Sequence, residues 1–179
     1  MNALKIGVLI CVLVTVNALK DVFYNPIFDG IKLEYYDKHL AKNAVFNFQK
    51  VNRTSSVLNL AFDLTEDLNG RKIFGTSKIY FFMSNQWRYS GFHFDYNVCE
   101  QWRTNLFGVR LFLKRFGNLE ACDIKKGHYY LNSFLPDITQ FPKKAPINLN
   151  MKYEIDVFHE NKTRILLFSW YGRTIEKQS

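Results

Sequence analysis

Leu58-Asn59-Leu60-Ala61-Phe62-Asp63-Leu64 is the stretch that decides the fold. Large apolar residues take every second position, and Asn59, Ala61 and Asp63 sit between them. Successive side chains of a β-strand point to opposite faces, so this period of two predicts a strand with one face buried and one face wet. The same alternation runs outward in both directions. Upstream, Ile31, Leu33 and Tyr35 mark one strand, and Ala44, Phe46 and Phe48 mark another. Downstream, Asn69-Gly70 is a dipeptide favoured in tight hairpins and predicts a turn into a partner strand over 73–83. Ser84-Asn85-Gln86 predicts the next turn. Trp87, Tyr89, Phe92, Phe94 and Tyr96 follow on a strand whose phase slips at Gly91, as at a β-bulge.

At Cys99 the period changes. Cys99, Trp102, Leu106, Val109, Leu113 and Phe116 fall on one helical stripe, with Arg103, Arg110 and Lys114 beside it. Asn97 as N-cap and Gly117 as terminator predict one helix over about 98–116, weakened by Gly108 at its middle. Residues 128–134 read as a strand, and 135–146 as a loop holding three of the four prolines. Residues 151–158 and 164–171 read as a final hairpin around Glu160-Asn161-Lys162. The expected fold is mostly β: an antiparallel sandwich or cup of about eight strands with one helix.

The chain has 179 residues, and its start reads as a secretory signal. Lys5 precedes an apolar run from Ile6 to Val16, and Val16-Asn17-Ala18 supplies small residues at the −3 and −1 positions. The run is shorter than the ~20 residues that span a bilayer, so residues 1–18 are expected to be removed, with no stable membrane insertion. Residues 19–179 are then one exported domain. Cys11 falls in the signal, leaving Cys99 and Cys122, which in an oxidising compartment most simply form one disulfide. A two-cysteine metal site is the alternative, and no Cys-x-x-Cys or paired-His spacing supports it. Asn52-Arg53-Thr54 and Asn161-Lys162-Thr163 are glycosylation acceptors, both expected at turns.

Composition narrows the function classes. Hydrophobic residues at 47% and charged residues at 22% exclude wholesale disorder. The unusual figure is 17% aromatic, from 17 Phe, 10 Tyr and 3 Trp, which is more ring surface than a small core needs. Either the core is large or the rings line a cavity. Phe46, Phe48, Leu60, Phe62, Phe81, Phe92 and Phe94 on alternating positions are the candidate lining, with Trp102 of the helix packed over one sheet. The formal charge of +8, with Arg103, Arg110 and Lys114 clustered, offers a rim for an anionic head group or an acidic partner, or simply a solvated face. Export argues against nucleic acid. No Gly-x-Ser-x-Gly, His-Glu-x-x-His, Walker or Gly-x-Gly-x-x-Gly motif occurs, so no enzyme, cofactor or metal is expected. His93 and Asp95 would share a strand face, but lack a third partner for acid–base work.

The second half carries a set of markers. These are Asp95-Tyr96-Asn97-Val98-Cys99 entering the helix, Gly117-Asn118-Leu119-Glu120-Ala121-Cys122 and Lys126-Gly127-His128-Tyr129-Tyr130-Leu131, followed by Pro142, Pro146 and the strand containing Tyr153. From about Asp95 to Tyr171 the chain resembles an insect family of small secreted proteins that includes the CheB-type chemosensory proteins. That family is itself distantly similar to the ganglioside activator protein and the lipid-recognition (ML) superfamily. Asp123 stands where the family usually has Pro after its second cysteine. The resemblance implies a β cup that holds a lipid-like molecule in extracellular fluid, without catalytic residues. It further implies a role in chemosensation such as pheromone perception, with a chemosensory receptor or another extracellular protein as partner. The competing expectation is a secreted accessory protein that binds another protein and has a filled core.

Overall fold

A computed structural model describes residues 24–52, 56–105, 109–134 and 148–176. The expected signal and the proline-rich loop lie outside the described residues. Ten strands and two helices occur among the described residues: β1 (Tyr24–Tyr36), β2 (Ala41–Lys50), β3 (Ser56–Leu64), β4 (Leu68–Asn69), β5 (Ile73–Met83), β6 (Gln86–Asn97), α1 (Val98–Thr104), α2 (Val109–Phe116), β7 (Asp123–Ile124), β8 (Gly127–Phe134), β9 (Asn150–His159) and β10 (Arg164–Glu176). Eight of these strands are long, as the alternation predicts. They form a five-stranded sheet in the order β1-β10-β9-β5-β6 and a three-stranded sheet in the order β2-β3-β8, while β4 and β7 pair as a short ribbon. Every pairing is antiparallel.

Residues paired directly across an antiparallel ladder share a face, so the register sorts the side chains into rows. In the large sheet, one row runs Ile31, Trp170, Tyr153, Ile79, and the next runs Leu33, Phe168, Ile155, Ser77, Phe94. In the small sheet the rows are Phe46, Leu60, Leu131 and Phe48, Leu58, Phe134. These rows face each other: the Phe46 and Phe168 rings lie 6.1 Å apart, as do those of Phe134 and Trp170. A mostly apolar layer between two sheets is what the period of two demands.

The β5–β6 hairpin turns on Ser84 and Asn85, both at positive φ (52° and 64°), with Met83 opposite Gln86. That two-residue loop is the expected turn, and its backbone twist matches the strands it joins. The predicted bulge is also present. Pairing slips between Lys78 and Tyr80, and opposite it Gly91 sits at φ 85°, where a side chain would be strained.

Asn69-Gly70 does not make the predicted hairpin. β3 and β5 belong to different sheets, and a two-residue hairpin would have forced them into one. Instead Asn69 caps a 3-10 turn over Gly70–Lys72, its side chain accepting the Arg71 N–H at 3.1 Å. Gly70 is required there for close approach. Its N–H donates to the Cys122 carbonyl at 3.0 Å, and a Cβ would overlap the Ala121 carbonyl.

The single helix over 98–116 is likewise corrected to two. Asn97 caps α1 as expected, accepting the Glu100 N–H at 3.1 Å. α1 then ends at Asn105, which adopts the left-handed conformation (φ 52°) and donates its N–H to the Gln101 and Trp102 carbonyls. An unbroken helix of that length would run about 28 Å in a straight line. The break lets α2 turn onto β8, where Phe116 meets Phe134 edge-on at 5.7 Å. Gly117 ends α2 without a left-handed cap. It forms a bridge to Leu131, and a Cβ at this position would overlap the Tyr130 carbonyl.

Candidate functional site

The space between the sheets is walled by rings that are not fully covered. Leu58, Leu64, Ile73, Tyr129 and Leu131 are deeply buried and pin the layers. Phe46, Phe48, Leu60, Phe62, Phe81, Ile155, Phe168 and Trp170 are only half-buried. β9 shows this most clearly. It is the middle strand of the large sheet, yet every residue from Lys152 to His159 is half-buried on both faces. In a closed sandwich the inner face of the central strand is the driest place in the molecule. Here that strand keeps partial exposure, as the wall of an open cleft would.

Five of the seven rings and side chains expected to line a pocket stand on these inner faces. Phe46 reaches across to Phe168, Phe62 stacks on Tyr129 at 5.5 Å, Leu60 shares the row of Phe46, Phe48 pairs with Leu58, and Phe81 pairs with Met151. The other two do not reach the interior. Phe94 lies in the row of Ser77 but on the edge strand, 43% exposed, and Phe92 projects from the bulge, 66% exposed. Trp102 is buried in α1, with Lys114 Nζ 5.9 Å from its ring centre. The expected basic rim is split by the helix break. Arg103 stands exposed on α1, Arg110 and Lys114 are on α2, and Lys114 pairs with Glu120 at 3.4 Å. Trp170, Phe168, Tyr153 and Phe28 are the wall residues that sequence reasoning passed over. For Tyr153, Phe168 and Trp170 the signal was present in the alternation of the last hairpin; Phe28 stands on β1.

Few polar groups face the cleft. Tyr96 lies over Gly75 and accepts a hydrogen bond from Ser77 Oγ at 3.5 Å, and burial pushes its phenol above the ordinary tyrosine range. Tyr153 Oη donates to Met151 Sδ at 3.6 Å. Trp170 Nε1 is buried and has no hydrogen-bond partner among the described residues. Where the β1–β2 turn joins the two sheets, residues 33–39 line an open depression of about 410 Å3. An apolar cleft with a handful of convergent polar groups is the usual form of a small-molecule site.

His93 and Asp95 do not act on each other. Asp95 accepts the Thr76 hydroxyl at 2.6 Å, and His93 Nδ1 meets Tyr89 Oη at 2.8 Å. Among the described residues no group of three His, Cys, Asp or Glu side chains could hold a metal, and no helix is long and apolar enough to cross a membrane. The disulfide is formed: Cys99 in the first turn of α1 is bonded to Cys122 just before β7, with Cα atoms 4.4 Å apart. Asn52 and Asn161 are both exposed, Asn161 in the β9–β10 turn. On the outer face of the large sheet, Phe82, Trp87 and Tyr89 are also exposed, with Trp87 packed against Phe82 and Tyr171.

No protein-family model matches the chain, and no curated protein matches it. Among solved structures it is similar to chicken MD-1 complexed with lipid IVa, with a TM-score of 0.39 and 11% identity over 85% of this chain and 97% of that one. It is also similar to a Niemann-Pick type C2 protein from Japanese carpenter ant, with a TM-score of 0.29 and 11% identity over 84% of this chain and 92% of that one. Likenesses of this degree do not bear on what the chain binds.

Proposed function

We propose that this protein is a secreted, non-enzymatic carrier or presenter of an apolar, lipid-like molecule, which it holds between its two sheets. The observation that carries this reading is the set of half-buried rings on both inner faces, a surface that water wets poorly and that an apolar chain would cover. A ligand burying about 400 Å2 of apolar surface gains ~10 kcal/mol, and immobilising it costs ~4 or more, which leaves an affinity of about tens of micromolar or somewhat weaker. The resemblance of residues 95–171 to secreted chemosensory proteins supports a setting in pheromone perception, with a receptor as the recipient.

The deciding experiment is native mass spectrometry of the secreted chain, to detect a co-purified apolar molecule, followed by binding of an uncharged fluorescent naphthylamine probe. The absence of both a bound mass and probe binding would end the carrier reading. The exposed Phe82, Trp87 and Tyr89 favour a second reading in that case, an accessory protein that docks another protein through its outer face, because clustered exposed rings mark interaction sites.

A further inference from the structure

The orphaned indole N–H of Trp170 points to the chemistry of the ligand. Trp170 is in the middle of the cleft wall, paired with Ile31 on one side and Tyr153 on the other. Its ring is flanked by Phe28 at 5.1 Å and by Phe134 from the opposite sheet at 6.1 Å. Buried donors are almost always satisfied, and leaving one unpaired is costly, because the hydrogen bond given up to water is not replaced. A neighbouring ring face is at best a weak acceptor. Trp170 Nε1 is the one buried side-chain nitrogen or oxygen left in this state among the described residues.

We propose that Trp170 Nε1–H is the anchor for an uncharged oxygen acceptor on the ligand, such as a ketone, aldehyde or ester carbonyl on an otherwise apolar chain. This rests on the carrier reading and makes it more specific. Ile31, Tyr153, Phe28 and Phe134, the residues paired with or stacked on the indole, bring no cation. A carboxylate placed there would be buried without a counter-charge, whereas a carbonyl needs a single donor. The polar end of the ligand therefore sits inside the cleft, away from Arg103 and Lys114, and reaches the N–H by displacing one of the flanking rings. In the empty protein the unsatisfied donor is a standing cost that a ketone relieves and a hydrocarbon does not.

The test compares decan-2-one with decane as competitors of N-phenyl-1-naphthylamine on the secreted chain and on Trp170→Phe. The native protein should prefer the ketone, and Trp170→Phe should weaken ketone binding about tenfold while decane changes less than about twofold. A second measurement needs no variant. One of the three indole 1H–15N resonances of the 15N-labelled native protein should move on adding decan-2-one and stay in place with decane. Equal affinity for the two compounds, equal loss of both in the variant, or indole resonances that respond alike to both would overturn the inference and leave the carrier reading standing. Failure of the probe to bind at all would overturn both.

Discussion

Phe46→Ala and Leu58→Ala, compared in the ligand-free protein, separate an open cleft from a filled core. Both residues are on the inner face of the small sheet, on neighbouring strands. Leu58 is 5% exposed, whereas Phe46 is half-buried and its main ring contact is Phe168 across the cleft. Truncating a fully buried Leu costs 2–5 kcal/mol as a rule, so about 3 is expected for Leu58→Ala, including the cavity left behind. In a packed core Phe→Ala costs more than Leu→Ala, at about 3–5 kcal/mol. At Phe46 only about half of the ~2 kcal/mol transfer energy is at stake, and the ring pair adds ~1. Little new cavity forms, because the space beside the ring is already open. The expected cost is therefore about 2 kcal/mol, and the larger truncation is the milder one. Urea denaturation with the disulfide intact reads this as a smaller drop in midpoint for Phe46→Ala at unchanged m-value. A loss of 4 kcal/mol or more at Phe46, exceeding that at Leu58, would show a filled core and refute the reasoning.

Three further outcomes are expected. Cys99→Ser/Cys122→Ser opens a crosslink of sequence separation 23 and should cost ~3 kcal/mol, lowering Tm by about 6–12 °C, as read by calorimetry; an unchanged Tm would contradict it. The Asp67 carboxylate is held below the usual carboxylate range by the Lys126 backbone N–H and by Lys125, so its contribution is present above about pH 4 and is lost as pH falls through the lowered folded value. Asp67→Asn should accordingly be less stable than the native protein at pH 6, with the gap closing toward pH 2 in denaturation midpoints. Asn52 and Asn161 should carry sugar after passage through a secretory pathway, and a glycosidase should lower the mass of the secreted protein; Asn161→Gln should abolish one of the two decrements.

Which parts of this molecule were legible beforehand follows from the range of the forces involved. The strand faces of Phe46, Phe48, Leu60 and Phe62 were readable because burying one side of a pleated strand forces a period of two on the sequence itself. The Ser84-Asn85 turn, the Gly91 bulge and the Asn97 cap were readable for a related reason: each is a bargain between a residue and its own backbone. Asn69-Gly70 carried an equally local signal, but the chain had to cross between sheets at that point. The glycine was needed to let the Cys122 backbone approach, a contact between residues about fifty positions apart. The helix break at Asn105 also answers to a distant partner, β8, onto which α2 must turn.

From the sequence by itself came an antiparallel β protein rich in rings, with one crosslink, no recognisable catalytic set and the expectation of export. Whether those rings would meet or leave a gap lay beyond it, because alternation says that a face is turned from water without saying how far away the opposite sheet stands. Only the tertiary structure placed Phe92 and Phe94 at an edge, set Trp170 between Phe28 and Phe134 with its N–H unpaired, and left β9 half-buried at the centre of its sheet. Register and sheet spacing are products of pairings between residues up to about 150 positions apart, such as Tyr24 with Glu176, and no local pattern records them.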